Sequence, residues 1–259
     1  GRDIGILSGN EPFLNYFAQG QVLGTDGQRM SKSRGNVVAP DEIVDQWGTD
    51  AFRAHLAFMG PWENGGPYSE GIIGISRWLN RVWVLANSHY SEKNISGQDQ
   101  EFVRLVNQTV QRVTYDLAEK SFNTAIAALM ELTNALSGSR ERGDITDENW
   151  NFSVKSLLLL LAPIAPHISE ELWQRLGEKK SIHLENWPTV DESALIVSEI
   201  EIPVQINGKV KVKIMVPTDA TETAVLELAR TTKQIDEILS DEAIKRVIYV
   251  ENRLLNIVI

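Results

Sequence analysis

Val154-Lys155-Ser156-Leu157-Leu158-Leu159-Leu160-Leu161-Ala162-Pro163-Ile164-Ala165-Pro166 is the stretch on which the fold turns. Residues 154–162 are apolar nearly all round a helical wheel, with five leucines in succession. A helix without a polar face belongs at the centre of a bundle, covered on every side. It cannot cross a membrane, which takes roughly 18 consecutive apolar residues, because Pro163 and Pro166 cut it short. Pro166, with φ already near the helical value, opens a further helix through Leu172, Trp173 and Leu176 that stops at Gly177.

Working towards the N-terminus, the apolar period stays at 3.6. Ile75, Trp78, Leu79, Val82 and Leu85 or Ala86 line one stripe. Phe102, Val106, Thr109, Val110, Val113 and Leu117 line a second, and Phe122, Ile126, Leu129, Met130, Thr133 and Leu136 a third. Trp78, Trp83 and Trp173 read as core. Residues 69–190 are therefore expected to form an antiparallel helical bundle. Before it, residues 1–68 are punctuated by glycine and proline. Thr25-Asp26-Gly27 suggests a tight hairpin, Pro40 opens a short helix ending at Gly48, and Thr49 caps another that stops before Gly60-Pro61. After the bundle, residues 199–206 and 209–216 alternate around Asn207-Gly208, a strong hairpin signal. One or two helices and two more strands follow, giving a small α+β domain over residues 196–259. The expected fold is mainly α with α+β ends.

Composition narrows the function classes. The 259 residues include no cysteine, which excludes disulfides, thiolate zinc sites and a cysteine nucleophile. The four histidines show no ligand spacing, so no metal site is expected. The formal charge is −10, and no segment is a basic tail. Basic and acidic residues number 5 and 9 over 1–70, 12 and 16 over 71–195, and 8 and 10 over 196–259. A surface wholly moulded for nucleic acid is thereby excluded, and any such contact must use individually placed residues. No secretion signal precedes the first elements, and the expectation is a cytoplasmic protein without membrane contact.

The stretch richest in chemistry is Arg29-Met30-Ser31-Lys32-Ser33-Arg34-Gly35-Asn36. Two hydroxyls, three cations and a glycine after a hairpin are the parts that hold phosphate oxygens. No glycine-rich run precedes Lys32, so it is not a Walker loop. By residue type alone, a polar surface loop or a kinase target is the favoured reading.

With Pro40 and Gly48-Thr49-Asp50…Arg53 behind it, this loop resembles the second signature region of class I aminoacyl-tRNA synthetases. The resemblance implies a loop that closes over ATP, with Arg29, Met30, Ser31, Lys32 and Ser33 at the nucleotide. Lys32 would be catalytic, facing the α-phosphate and the departing pyrophosphate. The family's pentapeptide usually begins with lysine, where this chain has Arg29: charge is kept, but a planar fork replaces a point charge. Arg77-Trp78-Leu79-Asn80-Arg81-Val82-Trp83 and residues 161–173 look like the anticodon-binding bundle of the leucyl, isoleucyl, valyl and methionyl members. Arg77 and Arg81, one turn apart, would meet RNA phosphate or lie solvated.

No His-x-Gly-His tetrapeptide, the family's first signature, occurs in the chain. Together with the opening Asp3-Ile4-Gly5 through Glu11-Pro12-Phe13, this implies a C-terminal fragment that is inactive alone. The tail, residues 204–213 and 254–259, resembles the C-terminal domain of the bacterial leucyl-tRNA synthetase family. That implies ATP with Mg²⁺ and leucine as substrates of the parent, none stably held by the fragment, tRNA(Leu) as partner, and a monomer. Lys209, Lys211 and Lys213, at spacing two, would share one strand face and touch tRNA, while Val210, Val212 and Ile214 face the core. A valyl or isoleucyl fragment and a free-standing tRNA-binding module stand as alternatives.

Overall fold

The computed structural model describes residues 4, 5, 13, 15–93, 95, 98–196, 199–241 and 243–259. The chain divides into two compact units, Gly1–Asp191 and Glu192–Ile259. Most of the opening stretch read from Asp3 to Phe13 lies outside the described residues.

The first unit begins with β1 (Val22–Leu23), which pairs in parallel with β2 (Gly66–Pro67). The hairpin expected around Asp26 is reduced to a single antiparallel bridge between Leu23 and Arg29. Helices α1 (Pro40–Trp47) and α2 (Thr49–Phe58) lie between the two strands. Pro40 opens α1 as its ring dictates. Thr49 does not cap α2: the cap position belongs to Gly48, at φ 84°, and no side chain bonds the helix start.

The bundle consists of α3 (Ile72–Asn87), α4 (Gln98–Ala118), α5 (Phe122–Arg142), α6 (Asp147–Leu161) and α7 (Pro166–Arg175). The expected stripes are its core: Ile75, Trp78, Val82, Val106, Val113, Ile126, Leu129 and Leu136 are all fully or almost fully buried. Ala51, Ala54 and Ala57 of α2 share that core, so the short helices and the bundle pack as one body. Trp78 keeps its polar handle satisfied inside, with Nε1 donating to Thr133 Oγ1 at 3.0 Å. The leucine helix α6 is central, with Leu157, Leu158, Leu160 and Leu161 at 0 % exposure. It is not covered all round, however. Lys155 and Leu159 are half-buried and Phe152 is exposed, so a narrow stripe reaches solvent, where Lys155 pairs with Glu178.

In the second unit a short helix α8 (Glu192–Leu195) precedes β3 (Glu199–Ile206) and β4 (Lys209–Pro217). Then come α9 (Glu222–Arg230), α10 (Lys233–Asp241), β5 (Arg246–Val250) and β6 (Leu254–Val258). The sheet order is β4-β3-β6-β5, with β3 and β6 parallel and the other pairs antiparallel. Its inner face (Ile202, Val204, Ile214, Val216, Leu255, Ile257) packs on Val225, Ala229 and Ile235 of α9 and α10.

Candidate functional site

The loop at residues 29–36 is an exposed turn held at both ends. Lys32–Arg34 form one turn of 3₁₀ helix, with Ser31 extended before it and Gly35 at φ 67° behind it. That left-handed conformation suits glycine and ends the turn abruptly. Asn36 ties the ends together. Its Oδ1 accepts the Ser31 amide at 2.9 Å, while its Nδ2 donates to the Arg29 carbonyl at 3.3 Å and to Asp26 at 3.1 Å. Asp26 also accepts the Gln28 amide at 3.0 Å. The Gln28 amide, then the Asn36 amide and the Arg34 charge, hold the Asp26 carboxyl below its ordinary value. Gly24 is part of the clasp, because a Cβ there would stand 2.7 Å from the Asp26 carboxylate and 2.9 Å from the Asn36 amide. Within the turn the Ser31 and Ser33 hydroxyls bond one another at 2.8 Å. Arg29, Lys32 and Arg34 are exposed and form no ion pair among the described residues. Three exposed cations on a fixed turn, outnumbering the Asp26 carboxylate at its base, are suited to an incoming polyanion.

The helices behind the loop are clamped to the bundle by two side chains of α2. Asp50 accepts the amides of His167 at 3.4 Å and Ile168 at 2.7 Å, capping α7 from 117 residues away, and takes His167 Nδ1 at 2.8 Å. Arg53 donates to the carbonyls of Pro163 at 2.9 Å and Ile164 at 3.1 Å, where α6 ends. Free amides at a helix start favour a carboxylate, and free carbonyls at a helix end favour a guanidinium. The same short helix supplies both.

Arg77 and Arg81 lie on the exposed face of α3 with Ile73, Gly74, Asn80 and Val84. Arg77 Nε reaches only the Ile73 carbonyl at 3.4 Å, and neither arginine meets a carboxylate among the described residues. Trp83 is half-buried and lies under the guanidinium of Arg175 at 4.8 Å.

The tail lysines do not share a strand face. The register between β3 and β4 shifts, with Val212 opposite Val204 but Val210 opposite Gln205, so Lys211 is an extra, bulged residue. Beyond the bulge the alternation inverts. Lys213 is opposite Pro203 on the outer face and pairs with Glu201 at 2.8 Å, whereas Lys209 is opposite the core residue Ile206. Val210, expected inside, is 56 % exposed. Among the described residues no group of acidic or histidine side chains is placed to hold a metal, and no helix is long and apolar enough to cross a membrane.

Residues 5–64 match the family of class I tRNA synthetases for isoleucine, leucine, methionine and valine, and residues 99–226 match the anticodon-binding domain of tRNA ligases. The leucine–tRNA ligase of Dehalococcoides mccartyi is 43 % identical over all of this chain and 32 % of its own length. That of Herpetosiphon aurantiacus is 44 % identical over the same shares. The chain belongs to the leucine–tRNA ligase family. It spans about a third of the length of these relatives. Among solved structures it is similar to the ternary complex of Agrobacterium radiobacter K84 agnB2 LeuRS with tRNA and LeuAMS. The TM-score is 0.71 at 32 % identity, over 99 % of this chain and 35 % of that one.

Membership of the leucine–tRNA ligase family agrees with what the tail strands implied, and with the bundle read from the helical stripes. Sequence reasoning did not single out the roles of Asp26, Asn36, Asp50 and Arg53. Asn36 sat within the quoted loop and Asp50 and Arg53 within the quoted signature. Only Asp26-Gly27, as turn residues, offered a local signal.

Proposed function

We propose that this chain supplies a leucine–tRNA ligase with its ATP-closing loop, in residues 1–68, and with tRNA-docking surfaces, in residues 69–190 and 196–259. The parent joins leucine to ATP, forming leucyl-adenylate and pyrophosphate, and then transfers the leucyl group to a ribose hydroxyl of tRNA(Leu). The observation that carries the reading is the loop itself, a clasped turn presenting Arg29, Lys32 and Arg34, none of them in an ion pair among the described residues. Lys32 meets the negative charge that builds between the α-phosphate and the departing pyrophosphate, while Ser31 and Ser33 donate to phosphate oxygens. The loop offers donors and cations rather than carboxylates, so Mg²⁺ enters with the nucleotide's phosphates. The parent acts as a cytoplasmic monomer.

Arg77 and Arg81 contact RNA phosphate, and the tail lysines contribute singly rather than as one stripe. The test is binding of a tRNA(Leu) transcript by the 259-residue chain over a range of salt. Each phosphate contact contributes about 0.7–0.9 to the slope of log affinity against log salt. Lys211→Ala should flatten the slope by about that amount, and Lys213→Ala by less, because Glu201 already holds it. The chain should show no leucine-dependent ATP–pyrophosphate exchange alone. Absence of tRNA binding, or exchange by the isolated chain, would overturn the reading.

A further inference from the structure

Between α2, α3 and α7 lies a cavity of about 350 Å³ lined by Gly48, Thr49, Ser76, Asn80, His167 and Ile168 around the Asp50 carboxylate. We propose that His167, oriented by Asp50, accepts a hydrogen bond there from a ribose 2′-hydroxyl of the docked RNA. This rests on the tRNA reading above and assigns one of its contacts.

Asp50 is spent: one oxygen takes the Ile168 amide, and the other takes the His167 amide and His167 Nδ1. A ring nitrogen 2.8 Å from a carboxylate oxygen carries the hydrogen, and the opposite nitrogen of a neutral imidazole is then an acceptor. That atom, Nε2, has no partner among the described residues, on a side chain 73 % exposed at the cavity. An outward acceptor on a fixed ring is placed to take a donor from a ligand.

The neighbouring face of α3 says which ligand. Asn80, in the cavity wall, stands one helical step from Arg81 and one turn from Arg77, and both arginines are exposed without carboxylate partners among the described residues. A phosphate meets the arginines, and a hydroxyl beside it meets the histidine. RNA carries both at each nucleotide step, and the 2′-hydroxyl is the group that DNA and free phosphate lack.

The probe is a tRNA(Leu) transcript carrying scattered 2′-deoxy, phosphorothioate-tagged nucleotides, sorted into fractions bound and not bound by the full chain. Wild type should disfavour 2′-deoxy at one nucleotide. His167→Phe should lose that discrimination and bind unmodified transcript about two- to tenfold more weakly, the size of one net hydrogen bond. His167→Gln, which restores an acceptor, should recover it. Circular dichroism should stay native, since Asp50 keeps both backbone amides of α7. Unaltered interference in a folded His167→Phe chain, or unaltered affinity, would overturn the proposal while leaving the tRNA reading intact. Absence of any tRNA binding by wild type would overturn both.

Discussion

His55 is 2 % exposed on α2, with its ring set edge-on to Tyr68 at 5.2 Å. Burial pushes its pKa below the ordinary 6.5, partly offset by a bond to the Ser69 backbone. The folded chain therefore holds this imidazole neutral where the unfolded chain would take up a proton. His55 leaves stability untouched well above pH 6.5, and stability falls as the pH drops through 6.5 towards the depressed folded value. Urea midpoints should decline between about pH 7 and pH 5.5, a window above the ordinary carboxylate range. His55→Gln should flatten that decline, and an equal decline in the variant would place the effect elsewhere. At this scale the sequence was partly legible. Residues 29–33 could be quoted as a unit because their chemistry is contiguous. The clasp was less visible, since Asp26 and Asn36 are ten positions apart and meet only when the turn closes.

Helices were the most legible elements, because a 3.6-residue stripe is a local property and the bundle only has to bury it. The bulge at Lys211 was not, because strict alternation looks the same with or without one extra residue in the pairing. Nor was the link between α2 and the α6–α7 junction, whose partners are 110 or more residues apart. Two predictions belong here. Leu158→Ala or Leu161→Ala in α6, both at 0 % exposure, should cost about 2–5 kcal/mol through the cavity left behind. Leu159→Ala, on the half-buried stripe, should cost less, and equal losses in a thermal or urea series would contradict the mapped outlet. Asp50→Ala should remove about 0.5–2 kcal/mol by uncapping α7, and faster amide exchange at His167 and Ile168 should accompany it. Unchanged exchange at those two amides would mean that the cap lies elsewhere.

Across the whole molecule, one logic connects loop to bundle. The clasp fixes the loop, α1 follows Asn36 within a few residues, and α2 locks by Asp50 and Arg53 onto the junction of α6 and α7. On the proposed reading, Lys32 sits on a turn anchored to the bundle that docks tRNA, and so is positioned by the body that holds the second substrate. In that reading Lys32 acts where charge builds in adenylate formation. The measurement that meets this claim most directly is leucine-dependent ATP–pyrophosphate exchange by the full-length parent enzyme carrying Lys32→Ala. The account predicts a rate lower by about two to three decades, the loss of one transition-state contact, with leucine affinity little changed. A held rate with weakened leucine binding would contradict it.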